Sequence, residues 1–98
     1  MIKSLPKPIG FDWDKGNIDK NLVKHKISNT ESEEIFGNRP LKIFEDIKHS
    51  FLEKRFLAYG ITSRKRRLTI VFSLRNKKIR IISARDMNKK ERGEYEKI

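Results

Sequence analysis

The sequence contains no cysteine. Disulfides, thiolate nucleophiles and cysteine-built zinc sites are therefore excluded. Histidine is nearly as scarce. His25 and His49 are the only two, far apart in the chain, so no metal site and no cofactor is expected. No stretch approaches the roughly 18 apolar residues of a membrane span. Residues 1–10 carry two Lys but no apolar run, so they do not read as a secretory leader. The expectation is a cytoplasmic protein with no membrane association. Glycine and proline are few, five and three, and there are no repeats or low-complexity segments.

What is present is positive charge, and it lies in one half. Residues 1–50 hold nine Lys/Arg against eight Asp/Glu, a net of +1; residues 51–98 hold fifteen against five, a net of +10. The apolar runs at 56–59, 68–72 and 79–82 fall in that same basic half. Positive charge concentrated on the scaffold of a small domain repels itself unless an anion binds it. The phosphate backbone of a nucleic acid is the anion that best fits. The apolar residues come in clear runs, so 1–98 reads as one folded domain with a modest core, preceded by an extended lead-in over 1–10 that holds Pro6, Pro8 and Gly10.

Residues 11–13 read as a short aromatic strand or stub. Asp14 reads as the N-cap of a helix over 15–25, with Ile18, Asn21, Leu22 and His25 on one face. Ser28 and Glu31, or Thr30 and Glu33, fit a capping box for a second helix reaching about Phe36, stopped by residues 37–40. Strands are expected at 41–45, 55–61, 67–74 and 78–84, with a polar loop over 46–54 and a tight turn at 75–77 where Asn76 suits positive φ. Asn88 and Glu91 form a second capping box, opening a last helix that runs to the C-terminus. The order β-α-α-β-β-β-β-α gives an α+β fold: a meander of antiparallel strands with helices on one face and the other face open.

Several side chains could carry chemistry. Arg80, flanked by Ile79 and Ile81, would be held stiffly on a strand, and Arg85 follows it. Planar, bidentate guanidinium groups suit phosphate. Arg55, Arg64 and Arg66 add to the basic surface. On the first helix, Asn21, Lys24 and His25 lie together. His25 could act as acid or base with Lys24 holding phosphate, or it could simply complete an apolar stripe, the reading its spacing favours. Glu91 and Tyr95 share a face of the last helix, where a capping Glu and a core-edge Tyr are the plainer reading. His49, with Ser50, Glu53 and Arg55 near it, is a weaker candidate on a loop.

Phe11-Asp-Trp-Asp14, Asn21-x-x-Lys24-His25, Asp46-x-x-His49-Ser50-x-x-Glu53-x-Arg55, Gly60, Arg80-Ile-Ile-Ser-Ala-Arg85 and Glu91-Arg92-x-x-Tyr95-Glu96 follow one another in this order. Together they resemble the BrnT family, toxins of bacterial type II toxin–antitoxin systems. The chain departs from the family pattern at Lys26, where glycine is common, at Asn29, where an aromatic is common, and at Asp86, where a basic residue is usual. The resemblance implies a RelE-like ribonuclease fold with a curved antiparallel sheet, and RNA cleavage that blocks translation. It further implies neutralisation by a BrnA-like antitoxin, through which alone operator DNA would be reached.

Cleavage of RNA by its own 2′-OH needs a base, charge stabilisation on the phosphoryl oxygens, and protonation of the leaving 5′-oxygen. Arg80 and Arg85 are the expected source of the charge, with Arg55 and Arg64 helping. His25 or Glu91 could be the base, and Tyr95 or Lys24 could assist the leaving group. Two other functions fit the same charge: a nucleic-acid-binding module without chemistry, and a subunit that serves only to bind a protein partner.

Overall fold

The computed structural model describes residues 10–50 and 52–97. The expected lead-in over 1–10 lies outside the described residues, apart from Gly10.

Four strands, β1 (Lys42–Glu45), β2 (Arg55–Ile61), β3 (Arg67–Arg75) and β4 (Lys78–Asp86), form one antiparallel sheet in sequence order. Three helices join them: α1 (Lys20–His25), α2 (Asn29–Gly37) and α3 (Lys89–Tyr95). Alternation in β3 sets the faces. Leu68, Ile70 and Phe72 are fully buried on the side that meets α1 and α2. Thr69, Val71 and Ser73 point the other way, as a strand's twofold periodicity requires. Asn76 and Lys77, both at positive φ, make the tight β3–β4 turn.

α2 is the helix whose sequence signal is clearest in the structure. Ser28 Oγ accepts from the Glu31 N–H at 3.0 Å, and the Glu31 carboxylate accepts from the Ser28 N–H at 3.0 Å. Its inner face buries Ile35 against the sheet, and Phe36 meets Phe72 edge-on with ring centroids 5.2 Å apart. Gly60 on β2 admits this close packing: a Cβ there would stand 2.7 Å from the Ile35 Cβ.

Of the strand or stub expected at 11–13, the structure has the stub: Phe11 makes a single parallel bridge to Ile79, with the Asp12 N–H donating to the Ile79 carbonyl. Two other local expectations are corrected. The first helix begins at Lys20, not at 15. The Asn17 amide turns inward to bond the Asp12 and Ile81 carbonyls, and Asp19 takes a left-handed conformation, which breaks the helix there. The expected apolar stripe on that helix faces solvent at Ile18 and Leu22, while Asn21 is buried. A helix this short docks through its ends and through the following Ile27, so its stripe does not decide its orientation. Lys26, in the position where glycine is common in the family, has φ 57° as the helix C-cap, a conformation that costs a non-glycine residue about 1 kcal/mol.

The expectation of helices along one face holds for α1 and α2. α3 packs at one end of the opposite face. There Tyr95 clusters with Tyr59 and Met87, and Glu91 accepts a hydrogen bond from Thr69. Among the described residues, the remainder of that face stays uncovered by helices.

Candidate active site

The open face is a set of cross-strand rows. Arg55, Ser73 and Arg80 are aligned across β2, β3 and β4; Tyr59, Thr69 and Arg85 are aligned further along. Residues 80 and 85 are five apart, and strict alternation would put them on opposite faces. A bulge prevents this. Val71 pairs with Ser83 and Phe72 with Ile81, so Ile82 is the extra residue, and Arg80 and Arg85 emerge on the same side. From Thr69 to Ser73 β3 advances about 13 Å, which sets the separation of the two rows.

Each arginine is held by a carboxylate. Arg80 donates to both Asp14 oxygens at 3.0 and 2.9 Å, with Asp12 at 3.7 Å. Its side chain is only 13% exposed, whereas that of Arg85 is 42% exposed. Arg85 donates to both oxygens of Glu91 at 2.6 and 2.8 Å. The Glu91 carboxylate also accepts from Thr69 Oγ1 and from the Asn88 N–H, completing the capping box of α3. Arg85 foremost holds the Glu91 carboxyl below the usual carboxylate range, so it is a weak base. Tyr95 is buried, and its hydroxyl donates to the Pro40 carbonyl at 2.6 Å; burial raises its pKa. These bonds make Glu91 and Tyr95 anchors of Arg85 and of α3.

The other expected residues fall elsewhere. Arg66 donates to both oxygens of Asp86 at 2.7 and 3.0 Å, to Glu31 at 3.4 Å, and to the Lys26 and His25 carbonyls. It ties the end of α1 to the start of α2 and the end of β4. Asp86, which departs from the family pattern, is thereby the partner that fixes Arg66. His25 contributes its carbonyl to this junction, Lys24 is exposed and Asn21 is buried. Arg64 lines a separate hollow of ≈ 360 Å³ with Glu31 and Glu34, where carboxylates disfavour an anion. The ten expected residues thus form three groups: Arg55 with Arg80; Arg85 with Glu91 and Tyr95; and Arg64 and Arg66 near the α1–α2 junction with Asn21, Lys24 and His25. The first two groups share the open face.

That face also holds, beside Arg55, the weaker loop candidate His49 with Glu53, and Arg75, which lay outside the expected set. A hollow of ≈ 490 Å³ at the end of the sheet is lined by His49, Leu52, Glu53, Arg55 and Arg75. Arg75 donates to both Glu53 oxygens at 3.2 Å and lowers the Glu53 pKa. His49 Nδ1 lies 3.0 and 3.2 Å from the two Asp46 oxygens across a one-turn 3-10 segment, Ile47–His49. The Asp46-x-x-His49 spacing is the sequence signal for this pair. Among the described residues, the Arg55 side chain makes no hydrogen bond or ion pair. Ser73, fully buried between Arg55 and Arg80, faces Glu53 without completing a hydrogen bond.

A family model described as the ribonuclease toxin BrnT of type II toxin–antitoxin systems matches residues 13–91. The chain belongs to this family. No curated protein matches it. A BrnT ribonuclease toxin takes RNA as its substrate and an antitoxin protein as its partner. Among the described residues, no helix is long and apolar enough to cross a membrane. The match begins at Trp13, the last residue of the stub, covers all four strands and the first two helices, and ends at Glu91, inside α3. It therefore takes in both arginine rows of the open face.

The carboxylate–arginine pairs predict a BrnT fold that weakens in acid. Asp86 is held low by Arg66, Glu91 by Arg85, and Glu31 by the Ser28 N–H and then by Arg66. A depressed carboxylate contributes stability that is complete above its unfolded value, 3.8 for Asp86 and 4.5 for the two Glu. That contribution is lost as pH falls through the folded value. Thermal midpoints followed by circular dichroism should be flat from neutrality to about pH 5 and fall steeply below about 4.5. In Glu91→Gln the neutral midpoint should be lower and the fall shallower. A midpoint unchanged down to about pH 3 would show that these pairs do not support the fold.

Proposed function

We propose that this toxin is an mRNA interferase that cuts RNA without a metal ion, by attack of a 2′-OH on the adjacent phosphate, and so blocks translation. Residues 1–98 act as one toxin domain in the cytoplasm. The observation that carries the reading is the bulge that brings Arg80 and Arg85 to one open face of a ribonuclease-toxin fold. Guanidinium groups fixed on a strand and braced by carboxylates need no rearrangement as charge builds on the phosphoryl oxygens, and such preorganised charge is usually the largest catalytic term. In this reading Arg80 and Arg85 contact phosphate and Arg55 assists. Glu91 and Tyr95 position Arg85. Of the other expected residues, Lys24 and His25 extend the contact with RNA beyond the open face, whereas Asn21 is buried and Arg64 and Arg66 face carboxylates.

The partner is a BrnA-like antitoxin that covers the open face with an acidic segment, and operator DNA is reached only through it. Lys65, Lys77, Lys78, Lys89 and Lys90, exposed and without ion pairs among the described residues, give the surface the charge to attract either polyanion.

Purified toxin mixed with a defined RNA in excess chelator tests the chemistry. The expected products end in a 2′,3′-cyclic phosphate and a 5′-hydroxyl, at a rate equal to that without chelator. RNA left intact, or cleavage abolished by the chelator and restored by a divalent cation, would reject the mechanism.

A further inference from the structure

We propose that His49 is the general base of this ribonuclease, oriented by Asp46, and that the hollow beside it holds the scissile phosphodiester. The inference rests on the metal-free cleavage reading above and adds to it the group that moves the proton.

The geometry supplies three parts. The first is a poised imidazole. Nδ1 faces the Asp46 carboxylate at 3.0 and 3.2 Å. A carboxylate only accepts, so in the neutral ring this contact puts the proton on Nδ1 and leaves the Nε2 lone pair to take another. An oriented imidazole backed by a carboxylate is the arrangement that general-base chemistry needs. The second part is an anion site. Arg55 lines the same hollow with no side-chain partner among the described residues, and Arg75 lines it with its fork fixed by Glu53. The third is continuity with the rest of the site: Arg55 and Arg80 flank Ser73 in one row, so a strand of RNA leaving the hollow crosses Arg80 and then reaches Arg85. The charged groups around His49 are Asp46 from its own turn, Glu53 from the following loop, Arg55 from β2 and Arg75 from β3.

The step balances. Nε2 of His49 takes the 2′-OH proton as the bond from O2′ to phosphorus forms. The bond from phosphorus to O5′ breaks, and O5′ takes a proton from solvent water. The imidazolium returns its proton to solvent, leaving a 2′,3′-cyclic phosphate and a 5′-hydroxyl with no net proton change. Glu91 and Tyr95 have no part in this transfer, in keeping with their bonds to Arg85, Thr69 and Pro40.

The test is single-turnover cleavage of a synthetic RNA in chelator by the full chain and by His49→Ala, across about pH 5 to 9. The His49 side chain is 63% exposed, so its loss removes little packing; unchanged circular dichroism and melting confirm the fold. His49→Ala should lower kcat by about 10²–10⁴-fold, leave RNA affinity within a few-fold, and recover rate when free imidazole is added. Asp46→Asn should lower kcat by a smaller factor. Wild-type cleavage with His49→Ala at the same rate and pH profile overturns this inference alone. Wild-type protein that leaves RNA intact overturns the ribonuclease mechanism along with it.

Discussion

The variant Arg80→Ala/Arg85→Ala is expected to lower the RNA cleavage rate by about 10²–10³-fold, the worth of one guanidinium facing developing charge at Arg80, and to weaken RNA binding through Arg85, which stands a row away and holds a flanking phosphate. Toxicity on expression should vanish with it. The complication is that both arginines also hold the fold. Removing Arg85 strands the nearly buried Glu91 carboxylate. A fully buried pair so broken costs roughly 3–5 kcal/mol, but Arg85 is 42% exposed, so about 1–2 kcal/mol is expected here. Asp14→Asn/Glu91→Gln separates the two effects: it breaks the same pairs from the carboxylate side and leaves both guanidiniums. If the arginines act on the substrate, this second variant loses far less activity at comparable melting temperature. A double-alanine protein that cleaves at the wild-type rate would remove the arginines from the mechanism. Equal losses in both variants would reduce them to structural braces.

The largest effect on stability is expected at Gly60. Its neighbour across the core is the Cβ of Ile35, 2.7 Å from where a Gly60 Cβ would stand, and neither group is a flexible side-chain end. β2 is paired on both sides, and α2 is pinned by its capping box, so neither element can retreat freely. Gly60→Ala should cost about 1–3 kcal/mol and Gly60→Val more than about 3 kcal/mol. In a domain of this length 1 kcal/mol lowers the melting midpoint by about 4–8 °C, so Gly60→Val should melt at least about 12 °C lower. Ile35→Ala alone opens a cavity and costs about 2–5 kcal/mol. Combined with Gly60→Ala it should cost clearly less than the sum, because each change relieves the other. Strict additivity would show that the close approach of α2 to β2 does not depend on glycine.

Much of the scaffold is legible in the sequence. Strand β2 falls at the residues read from the sequence, and β3 and β4 run one and two residues further. Alternation of Leu68, Ile70 and Phe72 reads out which face is dry, and both capping boxes form as spaced. These signals are local: a twofold period, or a side chain reaching a backbone amide three residues on. The start of the first helix is not legible for the same reason. Its apolar spacing is real, but Asn17 spends its amide on Asp12 and Ile81, a contact across 64 residues that no window in the sequence reports.

The sequence alone determined that this protein is a basic, cysteine-free α+β domain with the motif blocks of a ribonuclease-toxin family, because composition and short-range spacing are properties of the chain itself. Only the tertiary structure decided which charges act together. The same arginine residues could have been a solvated face, a set of braces or a phosphate site. One bulged residue, Ile82, turned Arg80 and Arg85 to the same side, carboxylates from distant segments tied Arg66, Arg75 and Arg80, Glu91 just beyond β4 tied Arg85, and Arg55 was left beside an oriented His49. Charge pairing depends on distances between segments far apart in sequence, and those distances exist only once the sheet has closed on its helices.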